Sequence, residues 1–212
     1  MWSFLAYLRR MRYIYRWQLM KNSRQENLSE HSMDTAAIVH LLGMIHNQRL
    51  SWQEPLDLYR LVTLAIYHDC SEIFTGDMPT PVKYANARLR DAYKALERDA
   101  VSRLLDTLPP DFRKSYAACF EPANQEEQRF LKAADRLSAL LKCEEESQQG
   151  NEDFRSAQQK IRQSLEEMEM EEIRIFLQEF YPACQMNPDE LSRLSGGTMI
   201  CNRRTERNVD EK

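Results

Sequence analysis

The sequence predicts an all-α protein with a single domain, and three observations carry that expectation. Breakers are scarce: 212 residues include five glycines and eight prolines, with no proline before Pro55, too few for the turns of a sandwich or barrel. Apolar residues recur at three- and four-residue steps almost throughout, the spacing of one helical face. Hydrophobic residues make up 42% and charged residues 29%, a balance that supports one buried core and excludes a chain disordered throughout.

The elements follow in order. A first helix is expected over residues 3–14. A second follows Ser29, where Met33, Ala37, His40, Leu41 and Met44 repeat at helical steps. Its other face, with Thr35, Ile38, Leu42 and Ile45, is nearly as apolar, which predicts a central helix with His40 packed in the core. Residues 46–55 are polar and read as a connection, with His46 in solvent. A third helix runs over residues 56–74 and ends in the breaker-dense Thr75-Gly76-Asp77-Met78-Pro79-Thr80-Pro81. An amphipathic helix over 86–106 stops near Pro109-Pro110, and another covers 124–148 before Gly150. Two more occupy 152–168 and 171–180, with a hinge near Pro182. The acidic run of Glu166, Glu167, Glu169, Glu171 and Glu172 reads as a solvated face. Residues 1–195 form the domain, and the polar segment 196–212 reads as a flexible tail.

Charge and cysteine usage exclude several functions. The formal net charge is −4, from 33 acids and 29 bases, which disfavours a nucleic-acid polymer as partner. The apolar run 36–45 is interrupted by His40 and too short to span a bilayer, and no signal peptide is visible. Five cysteines without a CxxC pair point to reduced thiols in the cytoplasm. Residues 1–25 hold six Lys or Arg and no acid, and we read them as lining the mouth of an anion site.

Polar residues on core-facing stripes carry the chemistry, because burying a charge without a partner is costly. In the third helix the stripe of Leu61, Leu64 and Ala65 continues into His68 and Glu72, with Asp69 beside them. Asp135 lies among Phe130, Leu131, Ala134, Ser138 and Leu141, and His31 sits one turn below Ile38 and Leu42. Two imidazoles and two carboxylates form a borderline-hard donor set suited to Mn, Co, Fe, Zn or Mg. Cys70 reads as a small buried filler, and Lys83 as either a phosphate contact or a surface charge.

His31, His68-Asp69 and Asp135 resemble the H…HD…D signature of the HD-domain metal-dependent phosphohydrolases. Longer blocks are similar to the YfbR-like 5′-deoxynucleotidase branch: Arg16-Trp17, Glu26-Asn27-Leu28-Ser29-Glu30-His31-Ser32, Tyr67-His68-Asp69-Cys70-Ser71-Glu72, Thr75 through Tyr84, and Lys132-Ala133-Ala134-Asp135. The resemblance implies a helical bundle of the HD type. His31, His68, Asp69 and Asp135 would hold one divalent cation, Co, Mn or a similar metal, with His31 and Asp135 also bordering the substrate. Glu72 would activate or orient the attacking water, and Arg16 would grip the 5′-phosphate of a deoxyribonucleoside 5′-monophosphate. Trp17 would exclude a 2′-hydroxyl, Asp77 would bond the deoxyribose, and the loop through Thr80 would close around the nucleotide. The resemblance also implies a homodimer.

Elementary chemistry agrees with these roles. A bound metal acidifies water and neutralises phosphate charge, and an arginine fork matches phosphate geometry as lysine does not. Without the resemblance, Arg16-Trp17 is an ordinary basic-aromatic pair and Asp77 a turn residue beside Gly76. Two alternatives stay open: the same metal chemistry on another nucleotide or phosphorylated metabolite, and a non-catalytic metal- or nucleotide-binding helical protein.

Overall fold

The computed structural model describes residues 1–50 and 54–194; the tail assigned to 196–212 lies outside them. Among the described residues there is no strand, only an isolated antiparallel bridge between Tyr15 and Asn27. Eleven α-helices follow one another: α1 Phe4–Leu8, α2 Leu28–Ile45, α3 Leu58–Tyr67, α4 Glu72–Thr75, α5 Thr80–Lys83, α6 Ala87–Asp106, α7 Pro110–Ala117, α8 Gln125–Gln148, α9 Arg155–Glu166, α10 Glu171–Ile175 and α11 Pro188–Leu194. The expected all-α single domain is what forms.

Asparagine caps explain where the long helices start. Asn27 accepts from the backbone N–H of Ser29 and Glu30, and Glu30 returns a bond to the Asn27 N–H, a complete capping box ahead of α2. Asn86 and Asn124 cap α6 and α8 through Leu89 N–H and Glu127 N–H. These two helices match the expected 86–106 and 124–148. The short helices α7 and α11 had no counterpart in the sequence reading. Each starts on a proline, Pro110 or Pro188, which suits a first helical turn as well as it suits a break.

Other expected helices change pitch partway. The expected 3–14 helix is α1 followed by a 3-10 turn over Arg9–Tyr13. The two late helices begin or end in 3-10 and π turns at Glu152–Phe154 and Phe176–Phe180. The expected helix over 56–74 breaks at His68. Backbone bonds there tighten to three-residue steps, Cys70 N–H to Tyr67 C=O and Glu72 N–H to Asp69 C=O, before α4 closes on Gly76 at φ 73°. A tightened turn of this kind inside a helical run marks a place where side chains must be re-aimed.

Two histidine expectations are reversed. His40 lies on the exposed side of α2 with Ala37 and with Met33, 68% exposed, because Ile38, Val39, Leu42 and Ile45 already fill the inward face. His46 is not in solvent. It opens a π-helical extension, His46–Leu50, its Nδ1–H donates to Glu172 Oε1 at 2.7 Å, and its ring meets Phe130 edge-on. Glu172 is therefore buried and paired, not part of a solvated acidic face.

The core has two parts. The larger joins α2, α3, α8, α9 and α10 around Val39, Leu42, Leu61, Leu137, Leu140 and Phe176. The smaller packs Phe4, Met11, Leu28, Cys70, Leu104 and Phe120 between α1, α6 and the start of α2. Leu28 and Cys70 belong to one core, Ile38 and Ala65 to the other. His31 and the turn at His68-Asp69 therefore sit where the two cores meet, and burying such side chains, at about 1.5–3 kcal/mol each, holds that seam closed.

Candidate active site

Three elements deliver the predicted metal donors to one point. His31 comes from the first turn of α2, His68 and Asp69 from the break after α3, and Asp135 from mid-α8. His31 Nε2 lies 3.2 Å from His68 Nε2, 3.1 Å from Asp135 Oδ1 and 3.5 Å from Asp69 Oδ2. His68 Nε2 lies 3.1 Å from Asp69 Oδ2. His31, His68 and Asp135 present donor atoms that all fall within 4.8 Å of one another.

The donor chemistry fits a cation. The Nδ1–H of His68 donates to the Ala65 carbonyl at 2.8 Å, so its Nε2 carries the lone pair that faces the cluster. His31 Nδ1 is bonded to Ser138 Oγ at 3.0 Å, which likewise turns Nε2 inward. Two imidazole lone pairs and two carboxylates facing one another repel unless positive charge lies between them. Neighbouring donors on an ion with bonds of about 2.1 Å lie about 3.0 Å apart in an octahedron and about 3.4 Å apart in a tetrahedron. The separations here, from 3.1 to 3.5 Å, lie close to those values.

The electrostatics point the same way. Burial would lower the His68 pKa, but the adjacent Asp69 charge outweighs it and raises the imidazole to about 9. Burial would raise Asp69, and the charges of His68, His31 and Arg16 instead hold it well below the usual carboxylate range. Asp135 is lowered in the same sense, burial being overcome by its bond to His31 and that ring's charge. The cluster thus attracts a positive charge, proton or metal, and the two compete for the same nitrogens.

Arg16 closes one side. Its Nη1–H donates to Asp69 Oδ2 at 3.1 Å and its Nε–H to Glu26 Oε2 at 3.2 Å. Burial is outweighed by Asp69, Asp135, Glu26 and Asp77, so the guanidinium stays fully charged. The Trp17 indole N–H donates to the same Glu26 oxygen at 2.8 Å. Glu72 is buried on α4 with Oε2 lacking a hydrogen-bond partner. Burial, then the charges of Asp69 and Asp77, push its pKa up to about 10. The apolar stripe predicts Glu72 on one continuous helix with His68. It instead starts a new short helix beyond the turn.

Other expected residues stand further out. Asp77 is half-buried, its pKa raised by burial against the pull of Arg16. Thr80 is exposed at the first position of α5. Lys83 Nζ is engaged by Glu97 at 2.7 Å and lies over the Tyr93 ring. Cys70 is fully buried in the smaller core, as expected. Glu26 and Ser138 were missed as supporting residues. Each had a signal: Glu26 is the first acid after 25 residues without one, and Ser138 lies three residues beyond Asp135 on the inward stripe. A cavity of about 650 Å³ is also lined by Glu26, but with Glu30, Asp34, Glu144 and Glu145 against Arg24 and Lys142 its lining is acidic on balance, which disfavours a phosphate.

A family model described as 5′-deoxynucleotidase YfbR-like matches residues 3–184. The chain belongs to the YfbR-like family. Within that family, a 5′-deoxynucleotidase of Enterobacter sp. (strain 638) is 41% identical over 192 residues, covering 90% of this chain and 96% of its own. The 5′-deoxynucleotidase YfbR of Salmonella typhi matches with the same identity and coverage. Among solved structures, an HD-domain phosphohydrolase from Listeria innocua superposes with a TM-score of 0.74 at 24% identity, over 91% of this chain and 95% of its own. The fold of this YfbR-like chain is thus the HD-domain fold.

Proposed function

We propose that this chain is a metal-dependent phosphomonoesterase that converts deoxyribonucleoside 5′-monophosphates to deoxynucleosides and phosphate. The observation that carries the reading is the Arg16 guanidinium seated on Asp69 Oδ2 beside the converging nitrogens of His31 and His68. That arrangement supports Arg16 as a phosphate fork beside a cation site. Membership of the YfbR-like family supplies the substrate class.

His31, His68, Asp69 and Asp135 would hold one divalent cation, whose chemistry when bound is to acidify water and neutralise phosphate charge. Arg16 binds the 5′-phosphate and orients it toward the donors. Glu72, three residues past Asp69 and with an unpartnered oxygen, orients the attacking water and, in its ionised form, takes its proton. Trp17 walls off the sugar where a 2′-hydroxyl would project, since an unpaired desolvated hydroxyl adds to the clash. Asp77 bonds the deoxyribose, and the segment through Thr80 encloses the nucleotide, with His31 and Asp135 bordering it.

The reading extends to a cytoplasmic homodimer that takes no nucleic-acid polymer. It is supported by free thiols at Cys70, Cys119, Cys143 and Cys184, by the outward apolar side chains Met33 and Ala37 on α2, and by the net charge of −4. Among the described residues, no helix is long and apolar enough to cross a membrane.

The test is phosphate release from dAMP, dUMP and TMP and from the matching ribonucleotides, with and without Mn²⁺ or Co²⁺. The proposal expects metal-dependent release from the deoxy series. Equal release from AMP and dAMP would sink deoxy selection. Release from other phosphomonoesters alone would move the chain to a different substrate.

A further inference from the structure

We propose that Glu26 is a positioning residue that couples phosphate binding to sugar selection, one buried carboxylate oxygen fixing both the Arg16 fork and the Trp17 indole. The inference rests on the function proposed above, in which those two side chains meet the phosphate and the sugar.

The geometry is specific. Glu26 is 6% exposed, and its Oε2 accepts from Arg16 Nε–H at 3.2 Å and from Trp17 Nε1–H at 2.8 Å. Its main-chain carbonyl also accepts the Arg16 N–H at 2.9 Å, beside the Tyr15–Asn27 bridge. Backbone and side chain of one residue therefore hold both neighbours. With Nε given to Glu26 and Nη1 to Asp69, the planar fork cannot rotate, and Nη2 is left to meet a phosphate oxygen.

Trp17 is held against its backbone preference. Its φ is 60°, a left-handed conformation that a bulky L-residue adopts only when its surroundings over-determine it. The surroundings do so: the Trp17 carbonyl accepts from Asn22 Nδ2–H at 3.1 Å and Met20 N–H at 3.0 Å, and the ring packs 5.3 Å from Phe154. The bond to Glu26 ties the indole N–H to the same oxygen that holds Arg16. Neither a surface ion pair nor a core filler requires a carboxylate shared between these two donors. Glu26 Oε1 lies 4.0 Å from His31 Nδ1, so the same side chain also borders the metal donors.

The test uses the full chain and the variants Glu26→Gln and Glu26→Asp, with kcat and KM measured for dAMP and AMP and Mn²⁺ affinity by titration calorimetry. Glu26→Gln is expected to raise KM for dAMP about tenfold or more, the usual effect of losing a charged hydrogen bond. It should also lower the dAMP-to-AMP ratio of kcat/KM about tenfold, with Mn²⁺ affinity within about threefold of the parent. Glu26→Asp keeps the charge at shorter reach and should fall between the two. A ratio unchanged in both variants, even with lower rates, overturns the proposal, because a merely structural residue would depress both substrates alike. A second readout is independent of catalysis. With Trp2 and Trp52 replaced by phenylalanine, Trp17 emission should shift and acrylamide quenching rise in Glu26→Gln; unchanged emission counts against the clamp. If the parent hydrolyses no deoxynucleotide, the proposed function fails and sugar selection with it, while a shifted Trp17 emission would still identify the clamp.

Discussion

Glu72 and Glu146 are both buried, yet their surroundings differ in every respect that matters to a carboxylate. Glu146, in the last turns of α8, accepts from the backbone N–H of Ser23 and Arg24, from Asn151 Nδ2 and from Lys142 Nζ. Burial alone would raise its pKa, but those four donors bring it down to about 2. Glu72 is raised by burial and then by the charges of Asp69 and Asp77, which outweigh the pull of Arg16 and Lys83; it has an oxygen without a partner and stands at about 10. A carboxylate enclosed by donors is finished as structure. One left unsatisfied beside other anions is held ready for a proton. The contrast also divides labour, because Lys142, Glu146 and Asn151 tie down residues 21–24, the strap that carries Arg16 and Trp17 to the site.

Substitutions test that division most sharply. Glu72→Ala should lower kcat by about 10²–10⁴-fold, the usual worth of a positioned proton acceptor, while leaving the urea midpoint at or above that of the parent. Metal-dependent phosphate release and urea unfolding on one preparation check both halves. An unstable but active Glu72→Ala protein would reverse the comparison. Glu146→Ala should do the opposite, costing about 3–5 kcal/mol by leaving Lys142 buried without its counter-charge, measured again by urea unfolding.

Acid and base titrations distinguish the same pair. The Glu146 pKa is depressed in the folded state, so its contribution is present above the ordinary value near 4.5 and is lost as pH falls through about 2. Unfolding midpoints between pH 5 and pH 2 should drop more steeply for the parent than for Glu146→Gln. Glu72 is raised, so without metal it opposes folding progressively as pH climbs from about 4.5 toward about 10. His68, also raised, adds to that decline as pH rises through about 9. Glu72→Gln in chelator should therefore flatten the alkaline slope in part.

A metal shift is the next largest effect. Mn²⁺ or Co²⁺ at about 100 times its dissociation constant should stabilise the parent by about 2.7 kcal/mol, seen as a rise in melting temperature that His31→Ala abolishes. The smallest effect is His40→Ala, expected within about 0.5 kcal/mol because the side chain is exposed on α2. A larger loss would show that this face is covered by something else.

Helix type and the donor set were legible in the sequence, since periodicity reports burial and a polar residue on an apolar stripe reports its own anomaly. His68, Asp69 and Asp135 stood out for that reason. The break at His68 was not legible, because the apolar stripe continues through Ile73 and Phe74 as though the helix did. His40 and His46 were assigned to each other's surroundings. On α2 two faces are nearly equally apolar, and only packing against α3 and α8 decides which turns inward. Glu146 gave no hint either, lying in Glu144-Glu145-Glu146, where charge alone cannot tell the buried member from its neighbours. Lys142 stands one turn back on the same helix, but Ser23 and Arg24 come from the far end of the chain, a relation no local pattern carries.

The spread of the donors along the chain also sets a schedule for synthesis. His31 and Asp135 are separated by more than a hundred residues, which a ribosome adds in about 5–20 s. During that interval His31 and His68 leave the tunnel without the carboxylate of α8, and the strap at residues 21–24 waits longer still for Glu146. On the proposed ligand set a nascent chain would hold only part of the donors, and a cation would meet all four only once α8 docks against α2 and α3. Loading and the closing of the core would then be one late event.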